Sequence, residues 1–313
     1  MKLQKTIRFT ALYTVVLFFH CATTPYVPWT AENPADLARD RSLFPTQLKV
    51  KRPSPVGDSS EAPPAGAREV YYKSGNLRLK AWLSQAPDDG KKHPAIVFAH
   101  GGFSRDAEDW PYLKPYLEKG YIVMMPAWRG ENGNPGYFEF FFGEVDDVIA
   151  AGNFLAEHPT VDKEKLFLAG HSAGGTLAIL TALTASPYKA IASFSGSPDQ
   201  EVFFRTMWDG GTPFDKKDGR EVTLRSPMAY VTSLRNRLFL SAGAQEHGFK
   251  KRNLAFAAKA KDLGKNCEFA EIPGDHFSAL SGSMERSIHL FTKPPMPGAI
   301  NHHSMQIKQS GEN

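Results

Sequence analysis

Residues 170–174 have the types and spacing expected around a serine nucleophile. They read Gly-His-Ser-Ala-Gly, the pattern G-x-S-x-G, with an apolar run at 166–169 before them and a helical stretch after them. Between a strand and a helix, this pattern holds its serine on a strained turn with the hydroxyl exposed at the top of a sheet. Glycines are expected there because side chains would collide with neighbouring backbone. The motif therefore predicts Ser172 as a nucleophile, and the alternative is an ordinary strand–helix turn.

A hydroxyl that attacks a carbonyl needs hydrogen-bond donors for the oxyanion that forms. One predicted donor is the backbone N–H of Ala173, at the start of the helix. The other is predicted in the loop after the first parallel strand, where residues 100–103 read His-Gly-Gly-Phe. Either Gly102 or Phe103 would donate its N–H there, and the alternative is a plain glycine turn. His100 is interpreted as a structural hydrogen-bonding residue.

The general base of such a site is normally a histidine that comes last of the three catalytic residues along the chain. His276 fits this position best of the ten histidines, because it follows the final strand in the loop 273–277, Pro-Gly-Asp-His-Phe. His247 and His289 are its rivals. His171 adjoins the serine in sequence and is interpreted as a packing residue.

The acid that would orient this base has two candidates. Glu246 lies in the loop after the apolar run 238–242, before His276 in the chain. A carboxylate there would fix the tautomer of the imidazole and stabilise its protonated form. Asp199, just beyond the run 191–194, is the second candidate.

The elements that must position these residues form a regular pattern between residues 68 and about 290. The apolar runs lack polar alternation, which suits strands buried on both faces of a parallel sheet. Strand–helix alternation implies right-handed crossovers and helices on both faces. The sequence therefore predicts an α/β fold with a mostly parallel central sheet. The predicted elements are a hairpin at 69–73 and 77–84, strands at 95–99, 121–126, 166–169, 191–194, 238–242 and 267–272, and helices at 107–119, 144–157, 173–185 and 249–263.

Residues 197–236 separate two of these strands, and a connection that long is usually functional. Its start predicts an apolar surface helix that carries Phe204 and Trp208. We interpret the segment as a lid-like insertion and expect Phe103, Phe204 and Trp208 to contact the substrate. The alternative is a helix that packs on the sheet edge. Four phenylalanines within 138–142 would add a second apolar wall.

The two ends of the chain differ from the domain. Residues 1–20 combine three basic residues with an apolar stretch of signal-peptide length, which predicts a signal peptide. Cys21 stands where a bacterial lipoprotein carries its lipid, so we expect an exported, periplasmic or membrane-anchored protein; an ordinary secretory signal or an uncleaved anchor is the alternative. Residues 21–67 are interpreted as a Pro-rich tether and 292–313 as a polar tail.

Composition excludes several classes of protein. The chain has 313 residues, of which 42% are hydrophobic and 22% charged, as in a globular protein with an ample core. Two cysteines exclude a disulfide scaffold and a Cys-based zinc module. The formal net charge is +4 without a basic stripe, so nucleic-acid binding has no electrostatic basis. No metal or cofactor is predicted, and the only predicted membrane contact is a lipid on Cys21.

These motifs resemble the α/β-hydrolase superfamily, nearest to the catalytic domain of prolyl oligopeptidase-type serine peptidases and to dienelactone hydrolase-like esterases. The resemblance covers about 68–291. It implies Ser172, Glu246 and His276 as nucleophile, acid and base, although the family usually has aspartate as the acid. Residues 22–67 are too short for the β-propeller of true oligopeptidases, so the resemblance to hydrolases is stronger than that to peptidases. The residues that carry it are 170–175, Arg129-Gly130, 226–231 (Ser-Pro-Met-Ala-Tyr-Val) and 274–277 (Gly-Asp-His-Phe).

Two functional classes follow. The first is a serine hydrolase that cleaves a small carboxylic ester or a short peptide through an acyl-enzyme intermediate. The second is a non-catalytic exported lipoprotein that uses the hydrolase fold for binding. An intact Ser172, together with the motifs at 100–102 and 274–276, favours the first class, because a binding protein has no need of all three.

Overall fold

An eight-stranded sheet forms the centre of the structure, a computed structural model that describes residues 35–56, 62–206 and 211–293. The strand order is β1-β2-β4-β3-β5-β6-β7-β8, in which β1–β2 and β2–β4 are antiparallel and the other pairs are parallel. The predicted α/β fold with a mostly parallel sheet is confirmed. The strands are β1 Ala67–Ser74, β2 Leu77–Ser84, β3 His93–Ala99, β4 Ile122–Pro126, β5 Val161–His171, β6 Ala190–Phe194, β7 Arg237–Gly243 and β8 Cys267–Ile272.

Helices cover both faces of the sheet. Along β5, Leu166 and Leu168 point into one hydrophobic core, and Phe167 and Ala169 point into the other. The first core contains side chains of α3, α4 and α7, and the second contains side chains of α2 and α8. Because both faces are covered, the strands are apolar at successive positions and lack alternation. The helices are α1 Leu37–Leu43, α2 Lys114–Glu118, α3 Gly143–Ala156, α4 Ala173–Ala182, α5 Gln200–Thr206, α6 Gly219–Thr223, α7 His247–Asp262 and α8 Leu280–Phe291.

The helix predicted at 107–119 is divided into two elements. A 3-10 helix occupies Ala107–Leu113 and is followed directly by α2. Pro111 lies inside the first element and Pro115 in the first turn of the second. Proline lacks an N–H and clashes with the preceding turn, so one continuous α-helix cannot form across this stretch.

The segment 35–56 packs against the domain and differs from the tether predicted at 21–67. Its helix α1 is capped by the carboxylate of Asp36, which accepts a hydrogen bond of 2.9 Å from the N–H of Arg39, and its Leu37 is buried. Further along, the N–H groups of Lys49 and Val50 donate to the carbonyl oxygen of Pro213 at 2.8 and 3.1 Å. Backbone and side-chain hydrogen bonds hold this Pro-rich stretch in place even though it adds little to the core.

The long connection between β6 and β7 is structured where it is described. It contains α5, α6 and a 3-10 helix, Pro227–Ser233. Phe214 pairs with Leu48 in an isolated β-bridge, and the buried Arg225 donates to the carbonyl oxygens of Glu139 and Phe140 at 2.8 Å each. Part of the insertion is therefore packed into the domain, and its role as a lid stays a prediction.

Several sequence predictions fall outside the described residues. These are the signal peptide 1–20, the lipid site at Cys21, the substrate contact at Trp208 and the tail beyond residue 293. Within the described ranges, no helix combines the length and the apolar character needed to cross a membrane.

Candidate active site

Ser172 lies on a strained turn between β5 and α4. Its φ is 55° and its ψ is −114°, a left-handed conformation that non-glycine residues rarely adopt. Its N–H donates to the carbonyl oxygen of Phe194 at 2.9 Å, which ties the turn to β6. A Cβ on Gly170 would lie 2.2 Å from the carbonyl oxygen of Gly174, and a Cβ on Gly174 would lie 2.0 Å from that of Ala99. The steric reason given for the two motif glycines is confirmed.

His276 and Glu246 are in direct contact. Nδ1 of His276 lies 2.6 Å from Oε1 of Glu246, within the range of a hydrogen bond. The other oxygen, Oε2, accepts hydrogen bonds from the hydroxyl of Ser195 at 2.5 Å and from the N–H of Gly243 at 2.7 Å. Burial works to raise the pKa of Glu246, but the hydrogen bonds from Ser195, His276 and Gly243 outweigh it and lower that pKa below its usual value. Glu246 is therefore an ionised partner for the imidazole.

The carboxylate of Asp199, the second candidate for the acid, lies at the start of α5. One of its carboxylate oxygens accepts a long hydrogen bond of 3.4 Å from the N–H of Val202, within the first turn of α5. Its backbone carbonyl oxygen accepts from the hydroxyl of Ser197 at 3.1 Å. Of the two candidate acids predicted from the sequence, Glu246 is the one that contacts His276.

Sequence reasoning missed Ser195. It follows β6 directly, at the carboxyl edge of the sheet, and has a left-handed φ of 50°. Its N–H donates to the carbonyl oxygen of Ser241 at 2.8 Å, so the residue is fixed at both its backbone and its hydroxyl. Its position could have identified it, since functional residues gather just after the ends of parallel strands.

His171 joins the turn that carries Ser172 to the loop that carries His276. Its Nε2 donates to the backbone carbonyl oxygen of His276 at 2.8 Å, and the centroids of the two rings are 4.6 Å apart. Burial, followed by repulsion from His276, lowers the pKa of His171 to about 4, so this ring is neutral near pH 7. The interpretation of His171 as a packing residue was incomplete, because adjacency in sequence did not reveal this bond.

The loop predicted to supply the second oxyanion donor borders Ser172. A Cβ on Gly101 would lie 3.2 Å from Nδ1 of His171 and 3.7 Å from Cβ of Ser172. Gly102 has a left-handed φ of 67°, which glycine adopts without strain. The carbonyl oxygen of Phe103 accepts a short hydrogen bond from the hydroxyl of Ser54, in the segment 35–56.

His100 is a buried structural residue, as predicted. Its Nδ1 lies 2.9 Å from the carbonyl oxygen of Gly101, and its Nε2 lies 3.1 Å from a carboxylate oxygen of Glu131. Its ring stacks on Trp128 with a centroid separation of 5.7 Å. Burial works to lower the pKa of His100, but the charge and hydrogen bond of Glu131 outweigh it and raise that pKa. This buried pair holds the start of the loop 100–103.

Aromatic rings form a continuous cluster beside the same loop. The ring of Phe103 lies 5.1 Å from that of Phe138 and 5.0 Å from that of Phe140. Phe204, predicted to contact the substrate, is buried within the cluster, whereas its neighbour Phe203 is 39% exposed. The prediction for Phe204 is corrected, because α5 turns that side chain inward, against the rings of Phe140 and Phe214 at 5.1 and 5.2 Å.

A buried carboxylate shapes the chain around this cluster. Phe140 and Phe141 both have left-handed φ values, 57° and 74°. The carboxylate of Glu144 accepts hydrogen bonds from the N–H groups of Glu139, Phe140 and Phe142 at 2.7, 3.1 and 3.0 Å. Burial, with repulsion from Glu139, raises the pKa of Glu144 to about 7. The three hydrogen bonds to Glu144 stabilise the strained backbone that carries these phenylalanines.

A metal centre was not predicted, and the described part of the chain contains no group of three or more His, Cys, Asp or Glu residues that could hold a metal ion. The candidate site combines the hydroxyl of Ser172 with an imidazole and a carboxylate, His276 and Glu246, which contact each other. These are the parts that acyl transfer by a serine uses.

Comparison with known proteins shows the family and the fold. The model of the alpha/beta hydrolase family matches residues 96–282, the stretch that contains Ser172, Glu246 and His276. The uncharacterized peptidase YtmA of Bacillus subtilis is similar to this chain, with 26% identity over 211 residues that cover 64% of this chain and 81% of that protein.

Solved structures share the fold. The acylaminoacyl peptidase of Pyrococcus horikoshii superimposes with a TM-score of 0.58 and 22% identity, over 72% of this chain and 40% of the peptidase. Est1E of Butyrivibrio proteoclasticus, with ferulic acid bound, superimposes with a TM-score of 0.57 and 20% identity, over 71% of this chain and 98% of Est1E. The chain thus spans less than half of the peptidase and nearly all of Est1E.

Proposed function

The chain belongs to the alpha/beta hydrolase family, and we propose that it is a serine hydrolase that cleaves a small carboxylic ester or a short peptide through an acyl-enzyme intermediate. The contact of 2.6 Å between His276 Nδ1 and Glu246 Oε1 carries this proposal. Because Glu246 binds Nδ1, Nε2 is the nitrogen left to accept a proton from a nucleophile. Ser172 stands on a strained turn, and the adjacent His171 bonds the backbone carbonyl oxygen of His276.

The proposed reaction has two halves. In the first, Nε2 of His276 takes the proton of Ser172 while Oγ attacks the substrate carbonyl, and the N–H of Ala173 with that of Gly102 or Phe103 stabilises the oxyanion. The bond to the leaving group then breaks, and the leaving atom takes the proton from His276. In the second half, water attacks the acyl group while His276 takes its proton; the bond to Oγ of Ser172 then breaks, Oγ takes that proton, and the acid is released. Glu246 offsets the imidazolium charge in both halves.

We rank esters above peptides as substrates. An alkoxide leaves a tetrahedral intermediate more readily than an amine, which must be protonated as it departs. A kcat/KM for a proline-containing dipeptide amide comparable with that for an ester of the same acyl group would reverse this ranking.

Labelling with a fluorophosphonate probe tests the nucleophile directly. The wild-type protein should be labelled and should hydrolyse a p-nitrophenyl short-chain ester. Ser172→Ala should lose the label and retain less than about 1% of the turnover, because the nucleophile is required for the acyl-enzyme route. Ser42→Ala, at an exposed serine of α1, is the matched control and should behave as the wild type. A folded wild-type protein without label or turnover would favour binding without catalysis.

We propose in addition that the protein is exported and anchored through Cys21. The sequence supports this with basic residues at Lys2, Lys5 and Arg8, the apolar stretch after them, and the position of Cys21. Expression of the full chain in a bacterial host, with mass spectrometry of the mature N-terminus, tests it. A lipid on Cys21 that is lost in Cys21→Ser is the expected result; an unprocessed cytoplasmic protein contradicts it.

A further inference from the structure

Two phenylalanine rings contact the imidazole of His276. The ring of Phe249, in the first turn of α7, has its centroid 5.5 Å away at an interplanar angle of 36°. The ring of Phe277, the next residue in the chain, lies 5.2 Å away and meets the imidazole edge to face at 89°. Phe249 is half-buried, whereas Phe277 is 62% exposed beside the candidate base.

The backbone at Phe277 is held in place by hydrogen bonds within its own loop. The carboxylate of Asp275 accepts hydrogen bonds from the N–H groups of Phe277 and Ser278, at 3.1 and 2.8 Å, and from the hydroxyl of Ser278 at 2.6 Å. The ring also lies 5.8 Å from that of His171. The geometry of the turn therefore presents this aromatic surface next to the base.

The proposed reaction connects these rings to the leaving group of the substrate. Glu246 binds Nδ1 of His276, so Nε2 carries the proton that the leaving group takes when its bond to the acyl carbon breaks. The acyl group stays on Ser172, whereas the leaving group departs beside the imidazole. In the proposed reaction, the side chains that contact the imidazole would therefore border the leaving group.

We propose that Phe249 and Phe277 form a subsite that selects esters of aromatic alcohols, an inference that rests on the proposed function. The two rings differ in tilt around the imidazole, which suits offset or edge-to-face contacts with a third ring. The carboxylates nearby are engaged, Glu246 with His276 and Asp275 with its own turn, so neither demands a cationic leaving group. An uncharged aromatic alcohol would cover the exposed ring of Phe277 and gain its burial free energy.

Benzyl acetate and methyl acetate provide the test. Their alcohols are of similar acidity and both esters form the same acetyl-enzyme, so a difference in kcat/KM reports recognition of the leaving group during acylation. In Phe277→Ala we expect the ratio of kcat/KM for benzyl acetate to that for methyl acetate to fall by roughly three- to tenfold, the factor that one aromatic contact provides. Phe277→Leu, which keeps apolar area without a ring, should give an intermediate ratio.

Tyr71→Ala is the matched control, because Tyr71 is a partly exposed aromatic residue on the edge strand β1. It should leave the ratio as in the wild type. An unaltered ratio in Phe277→Ala, or an equal loss on both esters, overturns the inference; the equal loss would mean that the ring acts on His276 itself. A wild-type protein that cleaves neither ester and is not labelled at Ser172 overturns the proposed function as well, and this failure is seen without any variant.

Discussion

Nε2 of His171 donates a hydrogen bond of 2.8 Å to the backbone carbonyl oxygen of His276, across 105 positions of the sequence. Because His171 precedes Ser172, this bond couples the turn that carries the candidate nucleophile to the loop that carries the candidate base. Nδ1 of the same ring faces Gly101, so three loops of the site converge on one buried imidazole. The residue before the serine therefore contacts all three loops of the site.

The lowered pKa of His171 predicts a dependence of stability on pH. The folded protein holds this ring neutral with a pKa of about 4, whereas an unfolded histidine has a pKa near 6.5. Between these values the unfolded state binds more protons, so the free energy of unfolding should decrease as pH falls from about 6.5 to about 4, by up to about 3 kcal/mol. Urea unfolding at several pH values measures this change.

His171→Gln is the control for that experiment. An amide keeps a donor for the carbonyl oxygen of His276 but does not titrate. The free energy of unfolding of this variant should therefore decrease less than that of the wild type as pH falls. Acidic groups such as Glu246, whose pKa is lowered, contribute to the loss of stability at low pH in both proteins. Equal decreases in the wild type and in His171→Gln would show that His171 is not the group responsible.

Replacement of the candidate acid should disable the base. In Glu246→Gln we expect kcat for a p-nitrophenyl ester to fall by about two to four orders of magnitude, because an amide can hold the wrong tautomer of His276 and cannot offset the imidazolium charge. Asp199→Asn is the matched control and should have a modest effect, since that carboxylate lies at the start of α5. The reverse ranking of the two variants would assign the acid to Asp199.

The hydroxyl of Ser54 should matter to catalysis although it lies in the segment 35–56, outside the range that the family model matches. It donates to the carbonyl oxygen of Phe103, in the loop predicted to stabilise the oxyanion. Ser54→Ala should lower kcat by roughly three- to tenfold, the range expected for one hydrogen bond, with a smaller change in KM. Ser54→Thr keeps the hydroxyl and should restore most of kcat; a loss of thermal stability without any change in kcat would contradict this role.

Local sequence patterns determined most of the fold and the position of the candidate nucleophile. Strands such as β5 and β7 are buried on both faces, so their apolar runs are readable without any knowledge of their neighbours. The turn around Ser172 is likewise local, because the close approach of backbone at Gly170 and Gly174 admits no side chain. Burial of strands and steric exclusion at a tight turn both restrict which residue types can occupy a position, so both can be recognised from the sequence.

Only the tertiary structure decided which groups meet across the site. Glu246 and Asp199 both follow strands of the sheet, and the direction of each side chain at its loop brings the first to His276 and turns the second toward α5. The orientation of α5 likewise buries Phe204 and exposes Phe203. Contacts such as these join residues that are tens of positions apart, and they depend on strand register, loop geometry and side-chain direction. The residue type at a position limits which conformations and environments are possible there. Which partner the side chain contacts is decided only when the folded sheet brings the loops together.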